Sequence, residues 1–212
     1  MKNLNKYIII LITMVMICSI GFGENNLKKD SDMTAKGDNG EDIVDSKYFI
    51  FTIPKGWRQI ETYMNYESIS LQKTEKEGID IVKVPMKGAS DITINEYKEI
   101  LENTFTTRPG VEISKIEVRE EEMGEVVYVE ATTTITEEIM ENNIEEGLVT
   151  REVIEANGGM EKYKNGLVME EIGVYYLYGE SIVAISGKVS AGGNKSETIS
   201  TIQHITDNIV IK

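Results

Sequence analysis

The chain has 212 residues and a formal net charge of −14 at pH 7, with 36 acidic and 22 basic side chains. This charge makes nucleic acid and anionic lipid headgroups poor electrostatic partners, because like charges repel. The only cysteine, Cys18, lies in the first hydrophobic run, so the sequence predicts neither disulfides nor thiol chemistry in the folded domain.

Residues 1–23 have the layout of a secretory signal peptide. Lys2 and Lys6 precede an apolar run at 7–20, which is followed by small residues. Basic, apolar and small segments in this order are typical of exported proteins. The run is also shorter than the roughly 20 residues that a membrane-spanning helix needs. We therefore expect export, either to the outer face of the cell membrane or into the medium.

Two alternatives to simple cleavage stay open at this end of the chain. The run could remain uncut as an N-terminal anchor. A lipid could also be attached to Cys18, although the preceding Ile17 does not fit the small residue that lipidation requires.

Residues 24–46 are predicted to be a disordered linker. The segment is rich in Asp, Asn, Lys and Gly and has few apolar residues, so it has little surface to bury on ordering. A single domain is then predicted over residues 47–212, which is long enough to bury about 70% of the surface of its unfolded chain.

The domain opens with an alternating apolar stretch that ends at Pro54. Residues 48–53 are apolar on both alternating sets, which predicts a strand covered on each side. Pro54 has no N–H to donate and Gly56 frees the backbone, so a turn is expected there. Trp57 is then predicted to fold back as a large structural plug against the sheet.

The rest of the domain alternates hairpins with helices. Hairpins are predicted at residues 68–86, 111–135 and 167–189, the last one turning at Gly179 and Glu180. Thr93 and Glu96 have the spacing of a capping box and predict a helix that follows. A closing helix is expected from Ser196, with its isoleucines on one face.

The stretch FTIPKGW at 51–57, together with this order of elements, resembles the PsbP-like family. That family includes oxygen-evolving-complex proteins of photosystem II, DcrB-like bacterial lipoproteins and Ran-binding nuclear import factors. The resemblance implies an α/β fold in which an antiparallel sheet is sandwiched by helices. It also implies an accessory or binding role without catalysis, and it brings no catalytic residues to this chain.

Residues 136–166 depart from that pattern and form a helix-leaning, glutamate-rich insertion between two strands. One hypothesis is a long connection that packs on the sheet. The other is a partner-binding arm, whose candidate contacts are Ile139, Ile144, Glu145, Glu146 and Leu148.

No residue pattern predicts a catalytic, cofactor-binding or metal site. His204 is the single histidine and is expected on the exposed face of the closing helix. Glu120, Glu121 and Glu122 are expected at a solvated hairpin tip, with weak calcium binding as the alternative. Tyr175, Tyr176 and Tyr178 alternate along a strand, which predicts core positions and one surface contact.

The sequence therefore favours an exported, non-catalytic bacterial binding protein that acts at the outer face of the membrane. The expected partner is another cell-envelope protein, and the expected oligomeric state is left open. The alternative hypothesis is a carrier that holds a small apolar ligand between the sheet and the helices.

Overall fold

The computed structural model describes residues 34–36, 42–60, 67–156 and 158–212. The predicted signal peptide, Cys18 and most of the predicted linker lie outside these residues. Among the residues described, no helix is long and apolar enough to cross a membrane.

The described residues form eleven strands, four α-helices and two short 3-10 turns. The strands are β1 (Thr34–Lys36), β2 (Asp42–Asp45), β3 (Phe49–Thr52), β4 (Arg58–Ile60), β5 (Glu67–Thr74), β6 (Glu77–Pro85), β7 (Val111–Glu121), β8 (Gly124–Ile135), β9 (Leu167–Leu177), β10 (Ser181–Ser190) and β11 (Val210–Ile211). The helices are α1 (Ile94–Thr106), α2 (Glu137–Glu145), α3 (Arg151–Ala156) and α4 (Lys195–Asn208), and the 3-10 turns are Ala89–Asp91 and Met160–Tyr163.

These strands form two antiparallel sheets. The large sheet has seven strands in the order β4-β5-β6-β10-β9-β8-β7, and the small sheet has the order β1-β2-β3-β11. All three predicted hairpins are present as β5–β6, β7–β8 and β9–β10. The predicted antiparallel α/β class is therefore confirmed.

One face of the large sheet, which we call the small-sheet face, is covered by the small sheet and α4. Its central positions are apolar and buried, among them Leu71, Ile79 and Ile185. Gly187 lets α4 approach closely, because a Cβ there would lie 2.6 Å from Cγ2 of Thr198 and 2.8 Å from Cδ1 of Ile202. This layer forms the largest apolar cluster of the described residues.

The opposite face of the large sheet, which we call the helix face, is covered by α1. The helix begins with the predicted capping box: the Thr93 hydroxyl accepts from the Glu96 N–H at 3.2 Å, and the Glu96 carboxylate accepts from the Thr93 N–H at 2.7 Å. Tyr97, Leu101 and Phe105 then pack against the sheet and are buried. The amphipathic pattern of the sequence thus places α1 as predicted.

The turn after β3 has the predicted geometry. The Trp57 N–H donates to the Pro54 carbonyl oxygen at 3.0 Å, and Gly56 has a φ of 87°, which favours glycine. The Trp57 side chain is 6% exposed and belongs to the apolar cluster of the small-sheet face. The ring is therefore buried in this cluster, and its role as a structural plug stays a prediction.

The structure corrects four details of the sequence interpretation. The folded region begins before residue 47, because β2 pairs with β3 and its Val44 side chain is fully buried. Strand β3 is buried on one side only, since Tyr48, Ile50 and Thr52 remain half-buried. The alternation along β8 predicts one buried and one polar face, but the strand is buried on both sides over Val126–Val129. One of the two covering layers consists mainly of strands, and the short β11 follows the closing helix.

Candidate functional site

The insertion at 136–166 lies at one end of the large sheet, between β8 and β9. Ile135, the last residue of β8, pairs directly with Leu167, the first residue of β9. The Thr136 hydroxyl caps α2 by accepting from the Ile139 N–H at 3.3 Å. The segment is therefore an insertion between two strands, β8 and β9, that are paired up to its ends. It is largely helical, as the sequence indicates.

The insertion has a small apolar core of its own. Met140, Val149, Ile154 and Tyr163 are buried in a separate cluster with Ile135 and Met169 of the sheet. Ile139 and Ile144 pack against the same cluster and are partly buried. Both side chains therefore contribute to the internal packing of the segment, and their role as partner contacts stays a prediction.

The exposed part of the insertion combines apolar and acidic side chains. Leu148 is 36% exposed and Val153 is 39% exposed, and Glu145 and Glu146 lie on the surface as well. Arg151 of α3 forms an ion pair with Glu141 of α2 at 2.6 Å. The segment contains eight glutamates against one arginine and two lysines, so its formal charge is −5. We use the name arm surface for four exposed residues of the insertion, Glu145, Glu146, Leu148 and Val153.

A row of buried polar side chains crosses the helix face next to the insertion. Asp80, Ser186, Lys188, Glu171 and Thr133 are each less than 9% exposed. They alternate along their strands with apolar residues of the small-sheet face, so they point to the opposite side. The register places Asp80 opposite Ser186, and Lys188 opposite Glu171.

Hydrogen bonds and charge pairing hold this polar row together. The Ser70 hydroxyl donates to Asp80 at 2.6 Å, and Glu171 accepts from Arg108 at 3.3 Å and from the Thr133 hydroxyl at 2.9 Å. Burial raises the pKa of Asp80, whereas the positive charge of Lys188 and the Ser70 hydrogen bond oppose that shift. The carboxylates and cations of the row therefore compensate each other inside the domain.

The polar row was missed by the sequence analysis. Its signal is an acid or a lysine inside an apolar strand, as in GIDIVKV at 78–84 and AISGKVS at 184–190. A polar residue in an alternating strand is normally assigned to a solvent-exposed face of the sheet. Only the covering of both faces shows that these residues are buried.

The other polar and aromatic residues singled out in the sequence occupy both surface and buried positions. His204 is exposed and lies beside Trp57 at an open cleft of about 560 Å³. Tyr175 and Tyr176 are buried on opposite faces, whereas Tyr178 is 40% exposed with the Lys83 ammonium 5.6 Å from its ring centre. In the described part of the chain, no group of three or more His, Cys, Asp or Glu side chains could hold a metal ion.

No known protein family matches the sequence, and no curated protein matches it. Solved structures are similar to it at low sequence identity. Cyanobacterial PsbP (CyanoP) from Synechocystis sp. PCC 6803 is 9% identical over 88% of this chain and 99% of its own, with a TM-score of 0.45. The Ran-binding protein Mog1p of Saccharomyces cerevisiae is 10% identical over 81% of this chain and 86% of its own, with a TM-score of 0.41.

A protein from Bacteroides thetaiotaomicron VPI-5482 is also similar, at 11% identity and a TM-score of 0.41. The similarity covers 77% of this chain but only 45% of that protein, so the chain spans less than half of its length. CyanoP and Mog1p belong to the fold family that the stretch at 51–57 resembles.

Proposed function

We propose that this chain is a non-catalytic binding protein whose arm surface docks a protein partner with a basic contact surface. The observation that carries the proposal is the exposure of Leu148 and Val153 on a segment of formal charge −5. Neither apolar side chain belongs to the apolar cluster of the insertion, which is built from other residues. An apolar centre with a charged rim is a common composition for protein interfaces.

Electrostatic complementarity favours a basic partner. Glu145 and Glu146 precede Leu148 closely in the sequence and are both exposed, so they can steer an approaching positive surface. The surplus of acid also disfavours an acidic partner, because placing like charges in contact costs free energy.

The test uses a photo-crosslinking amino acid at position 148 in the full chain, expressed in its native cell envelope. The matched control places the same amino acid at Met123, which is also 36% exposed but lies in the β7–β8 turn, at the other end of β8. We expect an adduct from position 148 that is absent from position 123. Identical adducts at both positions, or none at 148, would contradict the proposal.

A second experiment tests the two glutamates of the arm surface. Glu145→Lys combined with Glu146→Lys should slow association and reduce its dependence on salt. The matched control is Glu120→Lys with Glu122→Lys, an exposed pair at the β7–β8 turn. Equal weakening by both pairs would show that only the overall charge matters.

The proposed partner is another protein of the cell envelope, met after export of the chain. This part of the proposal rests on the layout of residues 1–23. Residues 1–46 fused to a reporter that is active only outside the cytoplasm should give a signal. Activity with a cytoplasmic reporter alone would contradict export. Cys18→Ser should release the protein into the medium if a lipid holds it, whereas continued attachment would indicate an uncut anchor.

The carrier hypothesis stays a prediction without a supporting observation. The layer between the large sheet and α1 is filled by side chains such as Tyr97, Leu101 and Phe105, each at most 2% exposed. An apolar ligand there would have to displace this packing. Extraction of the purified protein with organic solvent, followed by mass spectrometry, would reveal such a ligand.

A further inference from the structure

A cleft of about 240 Å³ opens on the helix face where the insertion meets the large sheet. Three lysines line it: Lys76 from the β5–β6 turn, Lys162 from the 3-10 turn of the insertion, and Lys188 from β10. Leu167 and Met169 of β9 supply an apolar wall, and Ser190 adds its hydroxyl group. We call this the lysine cleft.

The pairing of the strands brings these residues together at one end of the large sheet, where β6 and β9 begin and β10 ends. Ser190 pairs with Met169 across β9 and β10, and its N–H donates to the Lys76 carbonyl oxygen at 2.9 Å. The insertion then folds over this edge, because the buried Tyr163 and Met169 belong to one apolar cluster. Lys162 precedes Tyr163 in the chain and is thereby placed at the rim of the cleft.

The charge of the lysine cleft is opposite to that of the whole protein. Three lysines and one carboxylate, Glu75, line the cleft in a chain of formal charge −14, and the charge of Lys188 also acts on Asp80 of the polar row. Lys76 and Lys162 form no ion pair within 4 Å with a carboxylate of the described residues. Gathering cations without such partners costs electrostatic free energy, which a bound anion would recover.

Loss of hydration strengthens this argument at Lys188, which is buried, and to a lesser degree at Lys162, whose side chain is exposed overall. Lys188 is only 3% exposed, and its charge opposes the upward pKa shift of Asp80 behind it in the polar row. Burial lowers the pKa of Lys162, although the negative charge of Glu75 partly opposes that shift. An ammonium group that has lost part of its hydration gains more from an anionic ligand than a fully hydrated one does.

We propose that the lysine cleft binds a small oxyanion, a carboxylate or a phosphate carried on a short organic group. Lysines are point charges suited to such anions, and the Ser190 hydroxyl can donate a hydrogen bond. The apolar wall accommodates the organic part. The volume of about 240 Å³ limits the ligand to a small molecule.

The test titrates the full chain with methyl phosphate and with succinate at constant ionic strength, following heat release by calorimetry. We expect saturable binding of at least one of the two and no comparable binding of chloride. Methyl phosphate alone would assign the cleft to phosphate esters, and succinate alone to carboxylates. Binding no stronger than that of chloride for both anions would overturn the proposal.

Matched variants locate the binding. Lys162→Gln and Lys76→Gln should each weaken it by about 10-fold or more, because a charge-assisted contact contributes that much. Lys164→Gln should leave it unchanged, since Lys164 is exposed, pairs with Glu161 and does not line the cleft. Equal weakening by Lys164→Gln would overturn the site. Lys76 is independent of the insertion, so its variant remains informative if Lys162→Gln disturbs the 3-10 turn.

Discussion

The two faces of the large sheet are covered in different ways. The small-sheet face has an apolar centre, packed against Phe49, Phe51 and Trp57 and against α4. The helix face is apolar under α1 and at Ile135 and Met169 under the insertion, and it also carries the polar row that ends at the lysine cleft. The insertion also lies at this side, with its own separate cluster.

The two faces therefore contribute differently to the stability of the fold. Burying apolar surface stabilises the fold by about 25 cal/mol per Å², so the small-sheet face supplies stability without special geometry. A buried charged pair contributes little net stability, because its desolvation cancels most of the attraction. The helix face therefore keeps polar groups at the cost of stability, and both proposed binding surfaces lie at its margin.

The largest expected effect is on the small-sheet face. Trp57→Ala should lower the free energy of unfolding by about 3–5 kcal/mol, because a buried ring is removed and a cavity remains. Chemical denaturation measures this, with Trp57→Phe as a milder control. An unchanged midpoint would mean that the ring contributes no packing, which would contradict its placement in the apolar cluster.

A smaller loss of folding stability is expected when the polar row is changed. Arg108→Ala should destabilise the domain by about 3 kcal/mol, since it removes the guanidinium group that pairs with the buried Glu171 carboxylate. Replacing the pair together, as Arg108→Met with Glu171→Leu, should recover most of that loss. If the double variant is as unstable as the single one, the two side chains are not coupled.

Removing the insertion tests how far its cluster belongs to the main domain. Because Ile135 and Leu167 are paired, a short Gly-Ser turn can replace residues 136–166 without moving either strand. We expect a folded domain that is destabilised by about 2 kcal/mol, since Ile135 and Met169 lose their cover. Circular dichroism and thermal melting measure this. Loss of the cooperative transition would show that the insertion is required for folding.

The smallest effects belong to the start of α1. Thr93→Ala should cost about 1 kcal/mol by removing the helix cap. Hydrogen bonds from the Thr93 backbone N–H and hydroxyl lower the pKa of Glu96. Its ionised form therefore stabilises the fold above the ordinary pKa of 4.5, and that contribution is lost as the pH falls through the lower folded value.

Glu96→Gln tests this pH dependence. The melting temperature of the variant should lie below that of the parent at pH 7, and the difference should close as the solution is acidified below pH 4.5. A difference that stays constant with pH would mean that the charge of Glu96 makes no contribution.

Local features of the sequence were sufficient to predict most of the elements. The capping box at Thr93, the Pro54–Gly56 turn and the Gly179–Glu180 turn are fixed by backbone and hydrogen-bond chemistry within a few residues. The alternation of the strands likewise indicated an antiparallel sheet. Such features depend on neighbours in the chain, so they can be read without the fold.

Tertiary structure alone decided which face each side chain uses and what covers it. Asp80 and Lys188 have the pattern of solvent positions, but they are buried on the helix face. Ile139 and Ile144 are partly buried because they pack against the apolar cluster of the insertion. The lysine cleft joins residues 76, 162 and 188, which only strand pairing and the folding back of the insertion bring together. Burial and charge at these positions depend on contacts between distant parts of the chain, and no local pattern records them.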